Sequence, residues 1–382
     1  MTGFPDLFPL LGRSRFLVGD VFDRMADLPD GSVDLVLTSP PFLALRSYLP
    51  ADHPDKAKEI GSEPTPAAFL DTLLHLTAEW RRLLAPHGSI CVELGDTYSG
   101  SGGAGGDYNA EGMRAGQEKF AGSMTVSRRR DREPVPRQRR GEGDAGWPLA
   151  KSLCGIPHLY HLSLAYGRNL LTGEPSQAGQ WRVRNVVVWC RPNPPVGALG
   201  DKFRPGTSYM TVACVSDKRY FDLDAVRTEA PRNDNRRAMS TQYQAPGQSE
   251  RKTRASDENG RIYANANGAP PLDWWEPLPG EQEMWDQWAE EMWEIPTSPY
   301  KGSHYATWPP ALCERPIKAM CPPGGMVLDP FAGSGTTLAK AVALGRDAIG
   351  IDIDRRNADL AIDRVRAVAG TGAPIPLTIE AP

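Results

Sequence analysis

Residues 326–368 constrain the fold most tightly. "MVLD" (326–329) is a short apolar run followed by a Gly-rich turn, and "TTLAKAVALG" (336–345) has helical spacing and stops at Gly345. "DAIGID" (347–352) is a second apolar run and "NADLAIDRVRAV" (357–368) a second helix. Strands separated by single helices lie parallel in one sheet, with the helices as crossovers. The first hundred residues alternate in the same way. "RFLVG" (15–19), "SVDLVLT" (32–38) and "SICVEL" (89–94) read as strands. In "PAAFLDTLLHLTAEWRRLL" (66–84), Phe69, Leu73, Leu76, Trp80 and Leu83 share one helical face. "VRNVVVWC" (183–190) and "SYMTVACV" (208–215) add two more strands. The pattern predicts an α/β protein with a largely parallel sheet flanked by helices.

The chain of 382 residues is long enough for a large core and more than one domain. Its net charge of −4 argues mildly against a nucleic-acid partner, although the location of charge matters more than its sum. None of its six cysteines forms a C-x-x-C pair, which disfavours a zinc ribbon or finger, and His304, Cys313 and Cys321 match no zinc spacing. No signal peptide and no membrane-spanning apolar run is visible, so an intracellular, cytoplasmic protein with reduced thiols and no metal is expected.

Two stretches break the pattern. Residues 99–150 form a Gly/Arg-rich insertion with the basic run "SRRRDREPVPRQRR" (127–140). It reads as a solvated, flexible segment or as a loop that grips a polyanion, and both readings can hold together. Residues 226–300 are largely polar and irregular up to "EQEMWDQWAEEMWEI" (281–295), where Met284, Trp285, Trp288 and Met292 fall at helical spacing and suit core packing.

The turn "DPFAGSGTT" (329–337) brings backbone N–H groups close to a ligand at the start of a helix. It lacks the Gly-Lys-Ser/Thr of a nucleoside triphosphate site, because Thr336 follows Gly335, and Leu338 occupies the place of a third dinucleotide glycine. A nucleoside without pyrophosphate remains. Asp329 at the strand tip suits a cationic tail, and an acid at the next strand tip suits ribose hydroxyls: Asp352, with Asp354 as the alternative and the more solvated of the two. Adenosine with a cationic, amino-acid-like tail describes S-adenosyl-L-methionine.

The strand 32–38 ends in "TSPPF" (38–42), a hydroxyl, two prolines and an aromatic ring. With "DPFAGSGTT", "IGIDI" (349–353), "SHYATWPPAL" (303–312) and "RFLVGDVFDRMADLPDGSVDLVLTSPPF", it resembles the beta group of amino DNA methyltransferases, which methylate cytosine N4 or adenine N6. The resemblance implies an α/β fold with a Rossmann-like, circularly permuted seven-stranded methyltransferase sheet and an inserted target-recognition region. Residues 1–98 and 151–225 would form the catalytic half, 226–300 the recognition region, 301–370 the cofactor-binding half and 371–382 a frayed tail. It assigns catalysis to Ser39, Pro40, Pro41 and Phe42. Cofactor contacts fall to Asp20, Thr38, His304, Thr307, Trp308, Asp329, Pro330, Phe331, Gly333, Ser334, Gly335, Thr336, Thr337 and Asp352. His304 reads equally as a core or hinge residue.

An exocyclic amine is a weak nucleophile because its lone pair is delocalised into the ring. Ser39 Oγ and the Pro40 carbonyl could hold the two amine hydrogens and free that pair, with Phe42 offering a stacking face. Ser-Pro-Pro members mostly act on cytosine N4, and a serine can also donate to cytosine N3; adenine N6 is the alternative. The expected partner is double-stranded DNA, gripped at its phosphates by Arg128, Arg129, Arg130, Arg137, Arg139 and Arg140. A cognate restriction endonuclease is a possible companion without stable binding. An RNA or protein methyltransferase and an inactive DNA-binding module are the rival classes.

Overall fold

The computed structural model describes residues 12–44, 49, 52–99, 146–190, 203, 205–227, 274–275, 309–369 and 377–381. The nine strands there are β1 (Ser14–Val18), β2 (Val33–Thr38), β3 (Leu84–Leu94), β4 (Arg182–Cys190), β5 (Thr207–Cys214), β6 (Trp274–Trp275), β7 (Met326–Asp329), β8 (Asp347–Asp352) and β9 (Leu377–Glu380). They form one sheet in the order β6-β4-β5-β3-β2-β7-β8-β1-β9. Only β5 runs against its neighbours β3 and β4; every other pairing among these strands is parallel.

Six α-helices among the described residues cover the sheet: α1 (Val21–Ala26), α2 (Pro66–Leu83), α3 (Ile156–Tyr166), α4 (Pro310–Met320), α5 (Thr336–Ala343) and α6 (Arg356–Ala369). α2 starts where Thr65 accepts from Ala68 N at 3.1 Å and Pro66 presets the first turn. It buries Phe69, Leu73, Leu76, Trp80 and Leu83, the face anticipated from the spacing. Each such side chain contributes about 1.5–3 kcal/mol on burial. Strand alternation sorts the core into two layers. Val36, Ile90 and Val92 pack with α1, α2 and α3, whereas Leu35, Leu37 and Cys91 pack with α4, α5 and α6.

Two departures from the sequence-based expectation concern the sheet edges. The expected seven strands are all present, and β6 and β9 extend them to nine. The tail predicted to fray instead supplies β9, which pairs with β1 and is held by Arg15 Nε and Nη2 on Glu380 at 2.7 and 2.9 Å. A four-residue edge strand alternating between part-buried and exposed positions carries too little apolar signal to be read in advance. α1, α3 and α4 were not anticipated either. α3 lies between Gly155 and Gly167, both left-handed, and contains two histidines and a serine that blur its periodicity.

The permuted order is visible in the architecture. β7-α5-β8-α6 is the parallel unit expected from residues 326–368, but its third strand, β1, lies at the other end of the chain. From β7 the chain moves to β8 on one side, and from β2 to β3 on the other. The direction therefore reverses between β2 and β7. Such a reversal opens a crevice at the carboxyl ends of the two strands, where ligands bind in sheets of this kind.

Candidate active site

At that reversal the two motif-bearing turns are joined. Thr38 Oγ1, at the end of β2, donates to Asp329 Oδ1 at the end of β7 over 2.7 Å. Thr337 Oγ1 donates to Asp329 Oδ2 at 2.6 Å, and Phe331 N to Oδ1 at 3.1 Å. Asp329 is 3% exposed, and burial pushes its carboxyl up to about 6 against these three donors. Asp329, Thr38 and Thr337, expected at the cofactor, thus fasten the proline turn to the glycine turn.

Asp329 takes up its proton at a higher pH in the folded chain than in the unfolded one. This contributes stability below about pH 4 that is lost as pH rises through 6, on the order of 3 kcal/mol for a shift of this size. Asp329→Asn is expected to flatten the fall in melting temperature between pH 4 and 6, measured by thermal unfolding.

The glycine turn is shaped by close approach. Gly335, at φ +80°, would place a Cβ 2.6 Å from Ala361 Cβ, so only glycine lets α5 start against α6. At Gly333, φ +49°, a Cβ would meet nothing within 4 Å among the described residues, which leaves its backbone open to a ligand there. Ser334, Thr336 and Pro330 are buried beside it, Phe331 is part-buried, and Ser334 Oγ has no partner among the described residues.

Asp352, at the tip of β8, holds this turn from the side. Gly333 N donates to Oδ2 at 2.9 Å, Asp354 N donates to Oδ1 at 2.8 Å, and the Asn357 side chain adds a further bond. Part of Asp352 stays open, and burial of the rest pushes its carboxyl up to about 6. Asp354, expected to be the solvated acid, is instead buried and binds Arg356 Nε and Nη2 at 2.9 and 2.6 Å. It caps the start of α6, where an acid also meets the positive helix end. Asp20 stands at the same end of the sheet: Gly19 N donates to the Asp352 carbonyl at 3.0 Å. Its Oδ1 accepts from Phe22 N and Asp23 N at 3.0 and 3.2 Å, capping α1.

The turn 39–42 rests on the tip of β3. Ser39 Oγ donates to Glu93 Oε2 at 2.5 Å, and Glu93 is only 3% exposed. Pro40 is buried, while Ser39, Pro41 and Phe42 are part-buried. Glu93 was missed in the sequence, and the signal was there. An acid inside the apolar run "SICVEL" must have a partner when the strand is central.

Past β3, Asp96 accepts from Gly155 N and Ile156 N at 2.8 and 3.2 Å and caps α3. Cys154 N donates to Thr97 O at 2.9 Å, and Ser99 N to Ser152 O at 2.8 Å. The chain therefore leaves and re-enters the described structure at the active-site end. His304, Thr307 and Trp308 lie outside the described residues, as do Arg128, Arg129, Arg130, Arg137, Arg139, Arg140 and the 281–295 segment. Among the described residues no cluster suited to a metal is present, and Cys313 and Cys321 are buried with their thiols pushed up by burial.

A family model for DNA methylases, the N6/N4 group, matches residues 33–363. The chain belongs to the N6/N4 DNA methylase family. Two relatives span almost the whole of this methylase. It is 26% identical to the type II methyltransferase M.Cfr9I of Citrobacter freundii, over 93% of this chain and 89% of that one. To M.XycI of Xanthomonas campestris pv. cyanopsidis it is 27% identical, over 94% and 90%. Among solved structures, PvuII DNA methyltransferase (cytosine-N4-specific) shares the fold with a TM-score of 0.52 at 13% identity, covering 95% of this chain and 89% of that one.

S-adenosyl-L-methionine is the methyl donor of this methylase. The described residues fit it, since the open backbone at Gly333, the unpartnered Ser334 Oγ and the part-open Asp352 carboxylate converge on one turn. Among the described residues no helix is long and apolar enough to cross a membrane.

Proposed function

We propose that this methylase transfers a methyl group to the exocyclic N4 of cytosine in double-stranded DNA, acting directly on a flipped-out base. One observation carries the reading. The 2.7 Å bond from Thr38 to Asp329 holds the turn suited to an amine next to the turn suited to the methyl donor. A target amine is paired inside the duplex, so the base has to leave the stack to reach this crevice.

When bound, the cofactor supplies an electrophilic methyl on a sulfonium sulfur. The residues of the chain prepare the amine. Ser39 gives its only hydroxyl hydrogen to Glu93, so its lone pairs are free to accept from the amine. The Pro40 carbonyl takes the second hydrogen, and the two prolines fix both acceptors before the base arrives. Once the nitrogen carries the methyl group, with the S–C bond broken and its electron pair left on sulfur, the surplus amine proton would leave through Ser39 to the Glu93 carboxylate. Phe42 carries the base on its ring face. Glu93→Gln is expected to slow transfer about 10–100-fold while cofactor affinity stays within twofold, measured by steady-state kinetics and calorimetry.

The Ser39–Glu93 bond alters the argument for the base. A hydroxyl hydrogen spent on Glu93 cannot also be given to cytosine N3. The Ser-Pro-Pro pattern then remains the support for N4. The same geometry would accept the N6 amine of adenine, which makes adenine the second reading. Identifying the modified base in DNA methylated by the purified protein separates the two.

Target recognition falls to residues 226–300, and phosphate contacts to Arg128, Arg129, Arg130, Arg137, Arg139 and Arg140. The anchoring of residues 97–99 against 152–154 at the active-site end supports the assignment of phosphate contacts to the segment between them. Replacing the six arginines with alanine is expected to weaken DNA binding uniformly across sequences. It should also lower the slope of log affinity against log salt by about 0.9 for each phosphate no longer neutralised, measured by anisotropy. In a restriction-modification setting the product would protect DNA from a nuclease that this chain does not bind stably.

A further inference from the structure

We propose that Gly95 is a positioning residue for the target base. The absence of a side chain at the tip of β3 sets how deeply the Phe42 ring is seated, and thereby where a flipped-out base stacks. The inference rests on the reading that Phe42 carries that base.

A Cβ built on Gly95 would lie 2.6 Å from Phe42 Cε2, 3.1 Å from Cδ2 and 3.3 Å from Cζ. All three contacts are with ring atoms. Gly95 does not occupy the left-handed region, so the demand for glycine here is one of space rather than of backbone conformation. A second glycine lies against the backbone of the same turn. Gly61, at φ +94°, places its own Cβ position 2.9 Å from the Phe42 carbonyl oxygen and 3.4 Å from Pro41 Cβ. Gly61 O accepts from Ala44 N at 2.7 Å, and Glu63 Oε2 accepts from Gly61 N at 2.8 Å.

Gly61 thus packs on the turn's backbone and Gly95 on its ring. Two residues before Gly95, near the end of β3, Glu93 fixes Ser39. One strand tip therefore sets both the amine acceptor and the stacking ring. A methyl group at position 95 would drive the ring away by about 0.8 Å, the gap between 2.6 Å and the 3.4 Å of ordinary contact. Misplacement of about 1 Å near reacting groups costs about 10²-fold in rate.

The test is a double-mutant cycle on the full chain with Gly95→Ala, Phe42→Ala and the pair, assayed on unmethylated DNA carrying the site that the wild-type protein modifies. Gly95→Ala is expected to lower kcat about 10²-fold with cofactor affinity, read by calorimetry, unchanged within twofold. In the Phe42→Ala background the same substitution should cost less than about threefold, because the ring it displaces is gone. Equal losses in both backgrounds, or a parallel loss of cofactor affinity, overturn the proposal. If Gly95→Ala alone fails to fold, the double variant should regain a cooperative melting transition, and its failure to do so also overturns the proposal. Wild-type protein that methylates no DNA would instead refute the function on which the inference rests.

Discussion

Ser39→Ala lowers methyl transfer about 10²–10³-fold and leaves affinity for S-adenosyl-L-methionine within twofold. The size follows from removing one preorganised acceptor at the reacting atom. It also removes the donor that Glu93 holds, leaving a buried carboxylate one partner short. Selectivity for transfer over cofactor affinity follows from the bonding pattern. Ser39 is bound to β3, whereas the tie to the glycine turn runs through Thr38, Asp329 and Thr337. Kinetics with radiolabelled donor and calorimetry on the same preparation provide both numbers. Loss of cofactor affinity together with transfer would show that residue 39 supports the cofactor turn and not the amine.

Asp352→Ala has the opposite signature, with cofactor affinity falling about 30–100-fold, as expected when charge-assisted hydrogen bonds worth about 2–3 kcal/mol are lost. The carboxylate also holds Gly333 N, so the open backbone of the turn is released with it. Its carboxyl lies at about 6, and the ionised form is the better acceptor of ribose hydroxyls. Cofactor affinity of the wild-type protein therefore weakens as pH falls through 6, and Asp352→Asn flattens most of that profile. Calorimetric titrations at a series of pH values from 5 to 8 provide the check. A wild-type profile flat across this range would remove Asp352 from the cofactor.

The sheet was legible because buried strands and single-helix crossovers leave dense apolar runs, as in "SVDLVLT" and "DAIGID". What escaped was held by polar or local contacts. β9 is fixed by an Arg15–Glu380 pair at an edge, and α3 by two glycines and the Asp96 cap. Asp354 was misjudged because its partner, Arg356, stands two residues away in a turn whose geometry is not written in the spacing. The site was legible where a motif demands special backbone, at 38–42 and 329–337. Glu93 and Gly95 lie in "RRLLAPHGSICVELGDTY" (81–98), which resembles a family segment but assigns neither of them a role. Their roles come from which strand lies beside β2, a fact of topology that one chain's pattern does not state.

The central claim is that the crevice between β2 and β7 methylates an exocyclic amine of a DNA base. Nucleoside mass spectrometry of DNA from cells expressing the protein, beside DNA from cells expressing Ser39→Ala, tests it most directly. N4-methylcytosine is expected in the first sample and far less of it in the second, whereas N6-methyladenine would move the target to the other amine. DNA with neither modified base, from cells shown to contain the folded protein, would contradict the account.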